Sequence, residues 1–240
     1  MGKLLGVLGG MGPMAAADFF RKLIEETPAQ RDQDHVPVIV YSVPQIPSRD
    51  KALTRNGESP LPQMLAGMKI LREANAKCVA IPCNTAHFWY DELRTGGGLP
   101  ILHIVDAVCD EMASRGRATD SVGLLCTEAT LASRIYHDRL LKHGIEPVVN
   151  LPHERDEFIN PAIDLVKMGR LEEAGRAVER AVARLFERGV QTLVLGCTEI
   201  PVALEAVRFP EMEKCIDATR ALARASVAWS LGSSDRVRAA

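Results

Sequence analysis

Two cysteines occupy matching positions directly after two apolar runs of the sequence. Cys83 follows the run 78–82 in the segment PCNT, and Cys197 follows the run 192–195 in the segment GCTE. A thiolate can act as a base or a nucleophile, and the start of a helix favours the thiolate through its dipole and free N–H groups. Each cysteine alone is more typical of a buried structural thiol. Their equivalent surroundings favour a shared chemical task.

The two cysteines belong to an internal repeat. Three segments of the first half resemble three segments of the second half, in the same order and about 115 residues apart. This ordered series favours two similar halves, although βα segments of unrelated origin also look alike. The matching pairs are 6–10 with 123–127, 80–85 with 194–199, and 104–107 with 215–218.

Short apolar runs alternate with longer amphipathic stretches, which predicts parallel strands separated by helices. We expect an α/β fold of two pseudo-symmetric domains, each a mostly parallel sheet flanked by helices, with the active site in the cleft between them. The expected first domain is 1–97 plus 210–240, and the second is 98–209. The predicted strands are 4–8, 36–43, 78–82, 121–126, 147–149 and 192–195, with a strand edge beginning 101–114. The predicted helices are 15–26, 62–75, the later part of 101–114, 131–143, most of 160–188, and 217–231.

The composition is that of a globular domain. The chain has 240 residues, 47% hydrophobic and 25% charged, with a net charge of −2, which excludes disorder and argues against a nucleic-acid partner. No apolar run approaches the ~20 residues of a membrane span, so no membrane partner is expected. The N-terminus lacks a secretory signal, so we expect a cytoplasmic protein whose six cysteines are reduced. No Cys-x-x-Cys pair is present, and no metal site is expected.

A glycine-rich turn follows the first predicted strand. Residues 10–15 fit the pattern G-x-G-x-x-A of dinucleotide sites. Pro13 removes an N–H where a phosphate would be held, and Asp32 and Asp34 precede the second strand instead of ending it. A nucleotide cofactor is therefore disfavoured. The turn is still expected to bring its backbone close to a small ligand, and Met11 within it is a candidate substrate-binding residue.

The turn 9–12 and the segments 82–85 and 196–199 together resemble the cofactor-independent aspartate/glutamate racemase family. The resemblance covers nearly the whole chain, and the best match is the aspartate racemase branch. Glutamate racemases usually have His after Cys-Thr, where this chain has Glu199. The family commonly has Gly at the position of Ala129.

The resemblance implies interconversion of L- and D-aspartate by a two-base mechanism. Cys83 and Cys197 would be the catalytic residues, one thiolate removing the Cα proton while the opposite thiol supplies one. In the family, Cys83 is usually linked to the D-enantiomer and Cys197 to the L-enantiomer. No pyridoxal phosphate, metal or nucleotide is implied, and the family is often homodimeric.

Without a cofactor, the α-carboxylate of the substrate must take up charge as an enediolate, so it needs preorganised donors. The candidates are the polar residues beside the two cysteines and after the strand 121–126. Any of them could equally cap a helix or form a turn. They are Asn84, Thr85, Thr127 and Thr198.

An acidic substrate also needs a cation for its distal carboxylate. Arg49, expected in the loop after the second strand, suits bidentate recognition of a carboxylate. The resemblance implies that Arg49 contacts the substrate and that Lys167 can do likewise. Both could instead be surface charges. Glu199 could bind the substrate ammonium or cap a helix. His87 could orient Cys83, although a lone histidine is more often structural.

Two alternatives stay open at the level of sequence. The first is a racemase or isomerase of the same family with another or a broader substrate, including glutamate. The second is a two-lobed sensor that closes on an amino acid without turning it over. The paired cysteines disfavour the sensor, because binding alone does not need two thiols.

Overall fold

A computed structural model describes residues 2–116 and 120–232. Within these residues, eight strands form two separate sheets of four, and every strand pair is parallel. Short runs of buried apolar residues form the central strands, as expected where helices cover both faces. The strands are β1 (Leu5–Gly9), β2 (Val38–Ser42), β3 (Cys78–Ala80), β4 (Ile101–Leu102), β5 (Ser121–Leu125), β6 (Glu146–Val149), β7 (Leu193–Leu195) and β8 (Cys215–Asp217).

Twelve α-helical segments surround the sheets in the described part of the chain. Most lie in the connections between consecutive strands, and three of these connections also contain a short 3-10 turn. The helices are α1 (Pro13–Glu26), α2 (Arg49–Thr54), α3 (Leu61–Glu73), α4 (Tyr90–Gly97), α5 (Ile104–Ser114), α6 (Glu128–Ala132), α7 (Ile135–Lys142), α8 (Pro152–Glu154), α9 (Asn160–Lys167), α10 (Leu171–Glu187), α11 (Glu199–Ala206) and α12 (Ala218–Leu231).

The two sheets have the same strand order. The first is β2-β1-β3-β4 and the second is β6-β5-β7-β8, so each strand of one half has a counterpart in the other. In the first sheet Gly6 pairs with Val79, and in the second Gly123 pairs with Leu193. These are equivalent positions of the sequence repeat. The predicted α/β fold of two related parallel sheets is therefore confirmed.

Three apolar clusters form the core. One contains Leu8, Ile81 and Cys83 of the first half, and a second contains Leu195 and Cys197 of the second half. The third cluster joins the halves, because buried side chains of both sheets pack there against α5 and α12. Each of the two cysteines singled out by sequence is thus supported by the core of its own half.

Three local predictions differ from the structure. The helix expected over 131–143 is divided into α6 and α7, because Arg134 has a left-handed φ of 57°. Arg49 was expected in a loop, but it begins α2, where Ser48 Oγ caps the helix by accepting from Lys51 N–H at 3.3 Å. The strand β8 lies where no strand was predicted. It leads directly into α12, and the helix predicted over 217–231 includes its last residue.

The predicted domain boundaries stay a prediction. Two strands pair with the sheet of the other predicted domain. β4 follows residue 97 but pairs with β3 of the first sheet, and β8 follows residue 209 but pairs with β7 of the second. The last strand of each half, β4 or β8, is therefore the fourth strand of that half's own sheet. The helix α12 packs against both α1 and α5. Residues 233–240 of the expected first domain lie outside the described residues.

A buried cation connects the two halves. Lys22 of α1 is fully buried, and its Nζ lies 2.6 Å from Asp18 Oδ2 and 2.5 Å from Asp217 Oδ2 at the end of β8. Burial opposes the charge of Lys22, but the two carboxylates outweigh it and raise the pKa of the amine. The ion cluster therefore fixes α1 to the second sheet.

Candidate active site

One cavity of about 330 Å³ lies at the carboxyl ends of the strands, in the size range of small-ligand sites. Its walls come from loops that follow strands of both sheets. All ten site residues predicted from sequence line it: Met11, Arg49, Cys83, Asn84, Thr85, Thr127, Lys167, Cys197, Thr198 and Glu199. Gly12 and Pro13 of the glycine-rich turn also line it, as do five residues that the sequence did not single out: Pro44, Ile46, Ser48, Asp50 and Ile163.

Cys83 approaches the cavity on a tight turn after β3. Its N–H donates to the Ile81 carbonyl at 2.8 Å, and a short 3-10 helix, Thr85–Trp89, follows. Burial raises the pKa of the Cys83 thiol, whereas the Arg49 guanidinium acts in the opposite direction and favours the thiolate. The nearby positive charge is therefore the main feature that favours proton loss at Cys83.

Cys197 approaches the cavity just before α11, and its neighbour is an acid. Its Sγ–H donates to Glu199 Oε2 at 3.2 Å, and the Thr198 hydroxyl donates to the same oxygen at 3.1 Å. Burial raises the pKa of the Cys197 thiol far above its ordinary value, and the Glu199 carboxylate raises it further. Glu199 is thus a hydrogen-bond acceptor for the thiol, a contact that the sequence interpretation did not include.

Three of the candidate carboxylate-binding residues, Asn84, Thr85 and Thr127, form hydrogen bonds with buried side chains behind them. Asn84 Oδ1 accepts from the Tyr136 hydroxyl at 2.7 Å. The hydroxyls of Thr85 and Thr130 lie 2.8 Å apart, and Thr127 Oγ1 donates to Thr130 Oγ1 at 3.1 Å. Tyr136 and Thr130 were missed because each resembles an ordinary core residue of a helix in the sequence.

The two cations differ in exposure. Arg49 Nη1 donates to the backbone carbonyls of Ile46 and Pro47 at 3.1 and 2.7 Å, and its buried Nε has no hydrogen-bond partner among the described residues. The Lys167 side chain is 54% exposed and binds Asp164 at 3.1 Å. Arg49 is therefore fixed by backbone contacts with one donor unpaired, whereas Lys167 is an exposed residue of the cavity wall.

The glycine turn after β1 is shaped by its neighbours. Gly10 has a φ of 92°, and a Cβ there would lie 2.3 Å from the Val43 nitrogen. A Cβ on Gly12 would lie 3.5 Å from Glu199 Oε1. Gly10 thus allows the Val43 backbone, directly after β2, to approach the turn, whereas a Cβ on Gly12 would make only an ordinary contact with Glu199. Met11 between the two glycines lines the cavity.

His87 lies behind the cavity and does not line it. Its Nδ1–H donates to the Cys83 carbonyl at 2.9 Å, and its Nε2 accepts from Ile104 N–H at 3.3 Å. Burial lowers the pKa of His87 to about 4, so the ring is neutral near pH 7. His87 therefore holds the backbone of the Cys83 turn.

Residues 2–116 and 120–232 contain no group of three or more His, Cys, Asp or Glu side chains that is placed to hold a metal ion. None of the helices in these ranges combines the length and apolar composition needed to cross a membrane.

Known proteins share this arrangement over almost the whole chain. A family model described as Asp/Glu/Hydantoin racemase matches residues 8–226. The chain belongs to the Asp/Glu/Hydantoin racemase family. The resemblance found in the sequence is thereby confirmed, and membership makes the protein an isomerase of the amino-acid racemase type.

Individual members of the racemase family match in sequence and fold. Picrophilus torridus aspartate racemase superposes with a TM-score of 0.80 and 32% identity, covering 96% of this chain and 95% of that one. The broad specificity amino-acid racemase RacX of Bacillus subtilis is 25% identical over 228 residues, which is 93% of this chain and 96% of RacX. An aspartate racemase homologue from Pyrococcus horikoshii shares the fold, with a TM-score of 0.74, 24% identity, and coverage of 96% and 100%.

Proposed function

We propose that this protein interconverts the L- and D-forms of an acidic amino acid, with aspartate as the preferred substrate. Cys83 and Cys197 are the two bases, and each exchanges a proton with one face of the substrate Cα. The observation that carries the proposal is that two buried cysteines, one from each half, line the same cavity. A single thiol could not reach both faces of a bound Cα unless the substrate turned over.

Burial raises the pKa of both thiols, but the nearest charges act in different directions. Arg49 favours the thiolate at Cys83, and Glu199 favours the thiol at Cys197. A base on one side and an acid on the other is the state needed to begin one direction of the reaction. After transfer the roles are exchanged, and the pair titrates as a coupled unit.

The other cavity residues give roles to the remaining groups of aspartate. Asn84, Thr85, Thr127 and Thr198 surround the α-carboxylate, where charge develops in the enediolate. Arg49 binds the distal carboxylate, with Lys167 assisting at the mouth. The similarity to Picrophilus torridus aspartate racemase supports aspartate in particular.

A broader substrate range is the second candidate. The similarity to RacX favours it, and so do the apolar side chains of Met11, Ile46 and Ile163 in the cavity wall, since they do not require a charged substrate. Homodimer formation stays a prediction that light scattering tests.

The test is incubation of the purified protein with a panel of single L- and D-amino acids, followed by chiral chromatography. We expect conversion of aspartate in both directions, and loss of conversion in the Cys83→Ala and Cys197→Ala variants. Cys109→Ala removes a buried thiol outside the cavity and is the matched control. A protein that binds an acidic amino acid without racemising it is a sensor, and the proposal then fails.

A further inference from the structure

Asn84 lines the cavity, and its side-chain amide has one paired end and one unpaired end. Its side chain is 3% exposed, and Oδ1 accepts a hydrogen bond from Tyr136. The buried Nδ2 has no hydrogen-bond partner among the described residues. Folded proteins rarely leave a buried amide donor unpaired, so this donor is reserved for a ligand.

Tyr136 decides which end of the amide faces inward. The residue is fully buried, and burial raises the pKa of its phenol well above the ordinary value, so the hydroxyl keeps its hydrogen. Asn84 Oδ1 accepts that hydrogen. If the amide were turned over, its NH₂ group would face the phenol, and the hydroxyl hydrogen would lose this acceptor. The bond therefore holds the NH₂ group towards the cavity.

Thr130 directs a second donor in the same way. Its backbone N–H donates to Thr127 Oγ1 at 3.2 Å, and Thr127 Oγ1 in turn donates to Thr130 Oγ1. Thr130 Oγ1 already accepts one hydrogen bond, and it is 2.8 Å from Thr85 Oγ1. When Thr130 donates to Thr85, the hydroxyl hydrogens of Thr127 and Thr130 both have acceptors. The Thr85 hydroxyl hydrogen is then free to point into the cavity. The reverse direction would leave the hydrogen of Thr130, a residue 1% exposed, without an acceptor in the network.

Both directing residues come from the second half, whereas both donors come from the first. Thr130 lies on α6 and Tyr136 on α7, and they reach across to the turn that follows Cys83. Tyr136 also lies against the turn that leads to Cys197, because a Cβ on Gly196 would be 3.2 Å from Tyr136 Cε2. One buried ring thus contacts the segments that hold both cysteines.

We propose that Tyr136 and Thr130 are positioning residues that point the donor hydrogens of Asn84 and Thr85 into the cavity, where they bind the carboxylate whose charge increases during proton abstraction. This inference rests on the proposed function. Neither residue touches the substrate, so each acts only through its first-half partner. Donors fixed before the reaction stabilise developing charge without reorganisation, and this benefit is larger for the enediolate than for the bound substrate.

The test is a double-mutant cycle on the kinetics of L-aspartate racemisation. Tyr136→Phe removes only the hydroxyl, and we expect kcat to fall roughly tenfold while KM changes less. In the Asn84→Ala background the same change should lower kcat less than twofold. Thr130→Val is expected to behave in the same way relative to Thr85→Val. Tyr90→Phe and Thr27→Val are matched controls, since their hydroxyls bind only backbone carbonyls away from the cavity.

A second variant keeps the proposal testable if loss of the phenol impairs folding. Asn84→Asp preserves an oxygen for Tyr136 but places another oxygen where the NH₂ group was. We expect it to raise the KM for aspartate more than Asn84→Ala does, because two carboxylates then face each other. The inference would be overturned if Tyr136→Phe lowered kcat by the same factor in the wild-type and Asn84→Ala backgrounds, or if Asn84→Asp left kcat and KM unchanged. Neither result would contradict the racemase activity of the wild-type protein. A wild-type protein that neither binds nor racemises any amino acid contradicts the inference and the proposed function together.

Discussion

The thiol of Cys197 donates a hydrogen bond to the carboxylate of Glu199 over 3.2 Å. The corresponding cysteine of the other half, Cys83, has the guanidinium of Arg49 as its main charged neighbour. The sheets repeat, but the charges next to the two thiols are opposite in sign. The repeated fold therefore supplies two thiols at one cavity, and in the proposed mechanism local charge distinguishes these two proton-transfer groups.

Replacement of Glu199 tests this difference. The Glu199 carboxylate raises the pKa of Cys197, so Glu199→Gln should lower that pKa and shift alkylation of Cys197 by iodoacetamide towards lower pH. Racemisation should fall about 100-fold, the range for loss of an acid–base partner. Mass spectrometry of the alkylated peptide as a function of pH measures the shift. Glu205→Gln on the same helix is the control, and a shift towards higher pH would contradict the assignment.

Replacement of Arg49 tests recognition of the distal carboxylate. Arg49→Gln should raise the KM for aspartate about 10- to 100-fold, as expected for a lost hydrogen bond to a charged group. The KM for alanine should change much less, because alanine has no distal carboxylate. A lower kcat is expected for both substrates, because Arg49 also favours the thiolate at Cys83. Steady-state kinetics with both amino acids measure the difference, and Arg55→Gln is the control on the same segment. Equal increases in KM for aspartate and alanine would show that Arg49 does not bind the distal carboxylate.

Replacement of Lys167 should have a smaller effect than replacement of Arg49. The side chain is 54% exposed and already paired with Asp164, so solvent screens its charge. Lys167→Gln should raise the KM for aspartate less than about fivefold, because exposed ion pairs contribute little. The same kinetic assay measures it, with Lys142→Gln as control. An increase as large as that for Arg49→Gln would place Lys167 in direct contact with the substrate.

The positions of the site residues could largely be predicted from sequence. Cys83 and Cys197 could be found because ligands bind beyond the carboxyl ends of parallel strands, and the repeat marked two equivalent strands. The same rule led to Thr127 after β5. These residues line one cavity because the halves place the corresponding strand ends opposite each other.

The residues behind the cavity could not be predicted in the same way. Tyr136 and Thr130 act through contacts between segments far apart in the sequence, and no local pattern separates them from core residues. The helical turn that carries Arg49 was missed because α2 is only six residues long. The contact between Glu199 and Cys197 depends on side-chain geometry at the start of α11, which residue spacing does not specify.

The buried cation between the halves makes a separate prediction about stability. Lys22→Met leaves Asp18 and Asp217 without their common partner, and both carboxylates remain buried. We expect a loss of about 3–5 kcal/mol in the free energy of unfolding, the range for breaking a buried ion pair. Urea denaturation measures it, and Lys69→Met, which breaks an exposed pair with Glu73, is the control. An equally small effect for both variants would show that the buried pairs do not stabilise the contact between the halves.

The most direct test of the two-base account is the origin of the proton in the product. Racemisation of L-aspartate is started in D₂O and stopped at low conversion, and both enantiomers are separated and analysed by mass spectrometry. If Cys83 and Cys197 act on opposite faces, the product proton comes from the second thiol, which has exchanged with solvent. The account predicts deuterium at Cα of D-aspartate while the remaining L-aspartate keeps its protium. Product that retains the substrate's own proton would contradict it.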